Sequence, residues 1–178
     1  MERVRRAVAV EVESPPPELY AVEEQYRRIV EEVAAYVAER GRLEKERYNE
    51  LYRRFRKYPL PSQLIQQAIN QGVETGKSFL ALKKDGRVHK PHPEVGRVSI
   101  RFAKDSWSYR KTAASTAPVK IAVSLPGGRR EVWIKPHRRF WLYWWKVLRR
   151  EAGLASALIL KRRRGRWYAI FVFDVKPG

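Results

Sequence analysis

Residues 3–12, RVRRAVAVEV, alternate in character: Val4, Arg6, Val8, Val10 and Val12 share one parity, Ala7, Ala9 and Glu11 the other. A two-residue period marks a strand with one largely apolar face. A strand cannot stand alone, and nothing up to residue 85 repeats this pattern. The first strand therefore most simply rejoins strands much later in the chain, which leaves the intervening residues as an insertion. Ser14-Pro15-Pro16-Pro17 ends the strand, because proline cannot donate to a ladder and its fixed φ suits a helix start.

The insertion reads as helical. Leu19, Val22, Tyr26, Ile29, Val30, Val33 and Val37 recur at three- and four-residue steps, with Glu and Arg on the other face. Gly41 interrupts the pattern; Leu43, Leu51, Tyr52 and Phe55 resume it, as an antiparallel pair or as one kinked rod. Tyr58-Pro59-Leu60-Pro61 is a break, Ser62 is the expected N-cap, and Leu64, Ile65, Ala68, Ile69 and Val73 define a further short helix. After the Asp85-Gly86 turn signal the period returns to two. Val98, Ile100 and Phe102 alternate, as do Val119, Ile121, Val123 and Leu125. Pro126-Gly127-Gly128 turns the chain into Val132 and Ile134, forming a hairpin. A second hairpin runs from Ala157 through a charged turn, Arg162 to Arg166, into Trp167–Asp174, a returning strand apolar on both faces. Between them, Phe140–Arg150 reads as a side helix near 139–151. The order predicts an α+β fold: a small antiparallel oligonucleotide-binding-like β-barrel from 1–14 and 85–178, with a helical lobe, 15–84, inserted after the first strand.

Charge divides the chain differently. Residues 1–58 hold 13 Lys and Arg against 12 Asp and Glu; residues 59–178 hold 25 against 7, so nearly all of the net +19 lies after residue 58. A concentrated field of one sign opposes folding unless a polyanion neutralises it, and nucleic acid is the commonest such partner. No apolar run approaches the roughly 18 residues of a membrane span. With no secretory signal and no cysteine, an intracellular, cytoplasmic protein is expected. The abundance of Arg is compatible with a thermophile.

Chemistry that cuts or transfers is not expected. His89 and His92 sit among prolines without a full zinc ligand set. No nucleophile elbow or phosphate loop is present. The seven carboxylates after residue 58 are scattered, whereas a two-metal nuclease needs several that converge. No catalytic residue, metal or cofactor is assigned.

Binding features are richer. Arg101, Lys104, Trp107, Tyr109, Arg110 and Lys111 cluster: the cations suit phosphates, and Trp107 and Tyr109 offer faces for bases. Arg129, Arg130, Lys135, Arg138, Arg139, Lys146, Arg149 and Arg150 form a second basic stretch. There Trp141, Trp144, Trp145 and Leu148 share the side of the helix expected to join the core, while Arg139, Tyr143, Lys146 and Arg150 share another. Lys161, Arg162, Arg163, Arg164 and Arg166 crowd the second hairpin turn. A cationic helix with Trp also fits an anionic membrane surface, though its position between strands gives its apolar side a core to join.

Together, RAVAVEV, LPSQLIQQAINQGVETGKSFLAL (60–82), KPHPEVGRVSIRFAKDSWSY (90–109) and SALILKRRRGRWYAIFVFDVK (156–176) resemble, in order and spacing, the N-terminal half of TnpB-type proteins. These are transposon-encoded RNA-guided nucleases related to compact CRISPR type V effectors. The resemblance implies a wedge-type barrel with an inserted recognition lobe. Its implied partners are a structured guide RNA, the target DNA duplex and the RNA–DNA heteroduplex. It places Ser62, Gln63, Gln66 and Lys104 near the reader of a short DNA motif; Lys77 is a further candidate nucleic-acid contact. Gln66 suits an adenine edge; Lys104, where the family commonly has an uncharged polar residue, favours phosphate instead. The family's RuvC nuclease follows the strand matching Trp167–Val175, so Asp174 does not take the role of its first catalytic Asp. The expectation is a module that binds without cutting: a truncated piece, a remnant, or one half of a split system with a RuvC-containing subunit in trans. The alternatives are a non-guided basic ribonucleoprotein component and a cationic protein on an anionic membrane.

Overall fold

A computed structural model describes residues 3–109 and 120–176. The chain divides into two compact units, Glu18–Ile100 and the pair Met1–Pro17 with Arg101–Gly178.

In the helical unit, α1 (Glu18–Arg40) buries Leu19, Val22, Tyr26, Ile29, Val30, Val33, Ala34 and Val37, the apolar stripe read from the sequence. Its N–H and C=O ladder closes at Gly41, whose φ of +86° and bond to the Val37 carbonyl (2.6 Å) form a left-handed stop. Helix α2 (Lys45–Phe55) buries Leu51 and Phe55. Arg47 donates to the Tyr36 hydroxyl at 3.3 Å, and Arg54 bridges to Glu32. Partner numbers rise on α2 as they fall on α1, so the two helices form an antiparallel pair and not a kinked rod.

Helix α3 (Ser62–Lys84) buries Leu64, Ile65, Ala68, Ile69, Gly72, Gly76 and Phe79. Ser62 is not the N-cap: Pro61 holds that position and no side chain caps the turn. Ala68, Gly72 and Gly76 repeat every four residues and let α3 lie directly on α1. A Cβ built on Gly72 would sit 2.6 Å from the Val33 Cβ and 2.9 Å from the Val30 carbonyl oxygen. One on Gly76 would sit 2.7 Å from the Val37 Cβ and 2.8 Å from the Ala34 oxygen.

The other unit is an antiparallel sheet curled into a half-barrel. Its strands are β1 (Val4–Glu13), β2 (Ser99–Phe102), β3 (Trp107–Tyr109), β4 (Lys120–Leu125), β5 (Gly128–Lys135), β6 (Ala152–Leu154), β7 (Leu158–Arg163) and β8 (Arg166–Val175). Strand β2 contributes its last two residues to this unit. Among the described residues the order is β2-β7-β8-β1-β5-β4-β3, with β6 also pairing β8. Strand β1 does rejoin the later strands. It pairs β8 from Val4↔Val175 to Glu11↔Tyr168, and β5 from Glu11↔Lys135 to Glu13↔Trp133.

One face of this sheet carries the core: Val8, Val10 and Val12 of β1, Ile121 and Val123 of β4, and Trp167, Ala169, Phe171 and Phe173 of β8. Helix α4 (Arg138–Leu148) closes over it. The side expected to be core is corrected here. Phe140 and Trp144, four residues apart, are the buried pair, whereas Trp145 is 44% exposed and Leu142 54%. Phe140 meets Phe171 at 5.0 Å between ring centroids, and Trp144 meets Tyr109 edge-on at 5.0 Å. Rings from β8 and β3 select the arc of α4 that turns inward. His137 caps α4, its Nδ1 accepting from the Phe140 N–H (3.3 Å). Its Nε2 lies 2.8 Å from the Ala9 carbonyl oxygen, which ties the helix start to β1.

The second hairpin is tighter than expected. Arg162, Arg163 and Arg166 lie on the strands, and only Arg164 and Gly165 form the turn. Both have positive φ, +51° and +78°, as a two-residue type I′ turn demands.

Candidate nucleic-acid interface

The cations assigned from sequence separate into distinct groups. On α3, Ser62, Gln66 and Lys77 are exposed and Gln63 is half-buried. All four belong to the helical unit, while Lys104 belongs to the sheet unit. Ser62 borders a hollow of about 300 Å³ that also exposes Tyr52, Arg56 and Tyr58, none of which was assigned to nucleic-acid contact from the sequence.

The cluster around Trp107 changes character. Trp107 is buried, its indole N–H donates to the Ser156 carbonyl (2.7 Å), and its ring packs against Phe171 and Tyr109. It is a core residue with no free face for a base. Tyr109 is half-buried, its ring perpendicular to that of Trp144. Arg101 is half-buried on β2, and Lys104 is exposed at the start of a single 3-10 turn, Lys104–Ser106. Arg110 and Lys111 lie outside the described residues.

Arg129 is also a structural residue. Its guanidinium donates to the Asp105 carbonyl (2.7 Å) and the Ser108 hydroxyl (3.1 Å), holding the turn before β3 against β5. Arg130 is exposed next to it. Around α4, Arg138, Arg139, Arg149 and Arg150 are exposed. Arg139 and Lys146 each lie over the Tyr143 ring, 5.9 and 5.6 Å from its centroid, so the sequence's grouping of these three is a physical one. Arg149 pairs with Glu151 at 3.4 Å. Arg150 has left the helix, with a φ of +61°.

The second hairpin gathers the densest cations. Arg163, Arg164 and Arg166 are exposed, and Arg163 sits directly opposite Arg166. Arg166 also reaches Glu11 at 3.5 Å. Arg162 lies on the other parity, opposite the buried Trp167. Lys161 points to the same side as Arg163, and Lys135 ends β5 across from Glu11.

The structure adds a surface that the sequence reading did not assign: the sheet face turned away from the core. Here Tyr168 stands opposite both Lys161 and Glu11. Ala9, Lys161, Arg163, Tyr168 and Ile170 line a hollow of about 180 Å³. Farther across the same face Trp133 is 50% exposed, and the Lys120 ammonium lies 4.5 Å from its ring centroid, anchored to Glu131 at 2.7 Å. The signal was present in the strand parity: Trp133 alternates with the buried Val132 and Ile134, and Tyr168 with Trp167 and Ala169. An aromatic residue on the solvent parity of a strand is the clue that a composition count passes over.

Among the described residues no group of three or more His, Asp or Glu gathers in a way that could hold a metal ion. Nor is any described helix long and apolar enough to cross a membrane. Neither protein-family models nor curated proteins match this chain.

Proposed function

We propose that this chain is a nucleic-acid-binding module of the kind found in the guide-RNA- and target-DNA-holding half of TnpB-type proteins. The observation that carries the reading is the β7–β8 hairpin tip. Three exposed arginines, 163, 164 and 166, stand within four residues, and one of the turn positions that favours Asn or Gly is given to Arg164 despite its positive φ. A tip that accepts both self-repulsion and a disfavoured turn residue suits a polyanion. The half-barrel with a helical unit inserted after its first strand agrees with the resemblance, and the net +18 after residue 58 supplies the attraction. Guide pairing would then read the target while the protein holds backbone.

The test is recovery of RNA. Protein purified from its native host and washed at high salt should retain one discrete RNA, identified by sequencing. No retained RNA, or an indiscriminate mixture, refutes guided binding, and the mixture points to a non-guided ribonucleoprotein component.

A second reading rests on α4, where Leu142 and Trp145 are exposed beside Arg138, Arg139 and Arg149. That combination suits an anionic lipid surface. Sedimentation with phosphatidylserine vesicles in the presence of excess RNA decides it: protein left in the supernatant removes this reading.

A further inference from the structure

The sheet face turned away from the core carries two aromatic side chains, Trp133 and the half-buried Tyr168. Trp133 is half exposed, and an exposed ring forgoes the burial that normally stabilises Trp. A single exposed ring is ordinary. Three further facts make this one part of a surface. Lys120 lies over the Trp133 ring at 4.5 Å and is itself held by Glu131 at 2.7 Å, which puts a cation beside the ring on this face. Tyr168 shares the face, two strands from Lys135 through Glu11. Finally, Lys161 and Arg163 flank Tyr168 around a hollow of about 180 Å³ with an apolar floor of Ala9 and Ile170.

Strands in a sheet are about 4.8 Å apart and rise about 3.4 Å per residue. Trp133 and Tyr168 are separated by two strands and one two-residue step, so they lie roughly 12 Å from each other on one surface. A polynucleotide can span that distance with phosphates on the cations and bases on the rings. Only unpaired bases can do so, because the faces of paired bases are occupied by their neighbours in the stack.

Building on the nucleic-acid reading above, we infer that this face is a stacking platform for a single-stranded nucleic-acid segment: Trp133 and Tyr168 receive bases, and Lys161 and Arg163 receive phosphates. Backbone contacts and stacking are indifferent to base identity, so the platform would hold an unpaired stretch of any sequence while the hairpin tip engages backbone.

The test uses the whole chain. Anisotropy titrations employ labelled single-stranded oligouridylate, single-stranded oligothymidylate and a blunt RNA duplex of equal length. Trp133→Ala and Tyr168→Ala should each weaken binding of at least one single strand by about 5- to 100-fold, the range expected for one lost stack. Duplex binding should change less than twofold, and Trp133→Phe should retain most of the affinity. Comparing the ribose and deoxyribose strands assigns the source of the strand. Ultraviolet crosslinks mapped by mass spectrometry should fall on Trp133 or Tyr168. If wild-type protein binds duplex and single strands but folded Trp133→Ala and Tyr168→Ala match it on all of them, the platform is refuted and the general reading stands. If wild-type protein binds no nucleic acid, both fall together.

Discussion

Replacing Gly72 by Ala should destabilise the helical unit, although the same change in most helices does the opposite. At a solvent-facing helix position, Ala is favoured over Gly by about 0.8–1 kcal/mol. Gly72 instead faces α1. Its added Cβ would lie 2.6 Å from the Val33 Cβ and 2.9 Å from the Val30 carbonyl oxygen. Relief to an ordinary 3.4 Å contact needs roughly 0.8 Å of separation (3.4 minus 2.6) between the helices. No rotamer change can supply it, because the obstacles are a Cβ and a backbone oxygen. Overpacking of this kind costs about 1–3 kcal/mol, and immobile obstacles place it in the upper half of that range. After subtracting the helix-propensity gain, Gly72→Ala should lose about 1–2 kcal/mol, and Gly76→Ala about the same. Urea unfolding followed by circular dichroism measures the loss, and amide exchange on α1 and α3 assigns it to this unit. Asn70→Ala, on the exposed side of α3, is the control and should be neutral or stabilising. Val33→Gly combined with Gly72→Ala should cost less than the sum of the two singles, since the first removes the Cβ that the second would meet at 2.6 Å. A Gly72→Ala protein more stable than wild type, or a strictly additive pair, would refute the close-packing argument.

Three further outcomes are expected. Replacing Arg163, Arg164 and Arg166 with Ala should flatten the salt dependence of RNA binding by up to about three phosphate contacts, read from log K against log salt, with folding almost unchanged. Arg164→Asn should raise stability by about 0.5–1 kcal/mol in urea unfolding, because Asn tolerates the left-handed conformation that Arg164 adopts at φ +51°; a loss of stability would mean that Arg164 makes a folding contact of its own. Lastly, the Arg27 and Arg28 guanidiniums hold the Glu24 carboxyl at a pKa of about 2, below its ordinary 4.5. The stabilisation is therefore fully present above about pH 4.5 and is lost as pH falls through 2. Glu24 is half exposed, so solvent screening keeps the effect to about 1 kcal/mol or less. Glu24→Gln should lower stability at neutral pH by that amount and converge on wild type only below pH 2.

Where elements are bounded by Pro or Gly and their period is unmixed, they were legible in the sequence. The isolated strand before Pro15–Pro17, the α1 stripe ending at Gly41, and both hairpins follow directly from such signals. Legibility failed where several faces of one element were equally apolar. Trp141, Leu142, Trp144 and Trp145 offer α4 more than one arc to bury, and only Phe171, Phe173 and Tyr109, which lie far away in sequence, select Phe140 and Trp144. Trp107 failed for a related reason: its surrounding cations suggested a ligand, whereas strand pairing with Val123 turned its ring into the core. Gly72 and Gly76 were invisible to a search for apolar side chains, since their role is to have none. The outer aromatic face needed the reverse attention, to large residues on the parity that a strand gives to solvent.

The pairing of β1 has a consequence for how the protein is made. Val4 meets Val175, 171 positions later (175 minus 4). At about 5–20 residues per second, a ribosome takes roughly 10–30 s to synthesise that interval. All three helices of the inserted unit emerge within this time and can pack using contacts of their own. Strand β1 meanwhile waits with unpaired edges, alternating valines and no β8. Positions 3, 5 and 6 of that strand are basic, the placement of charge by which sequences discourage a nascent apolar strand from pairing with its copies.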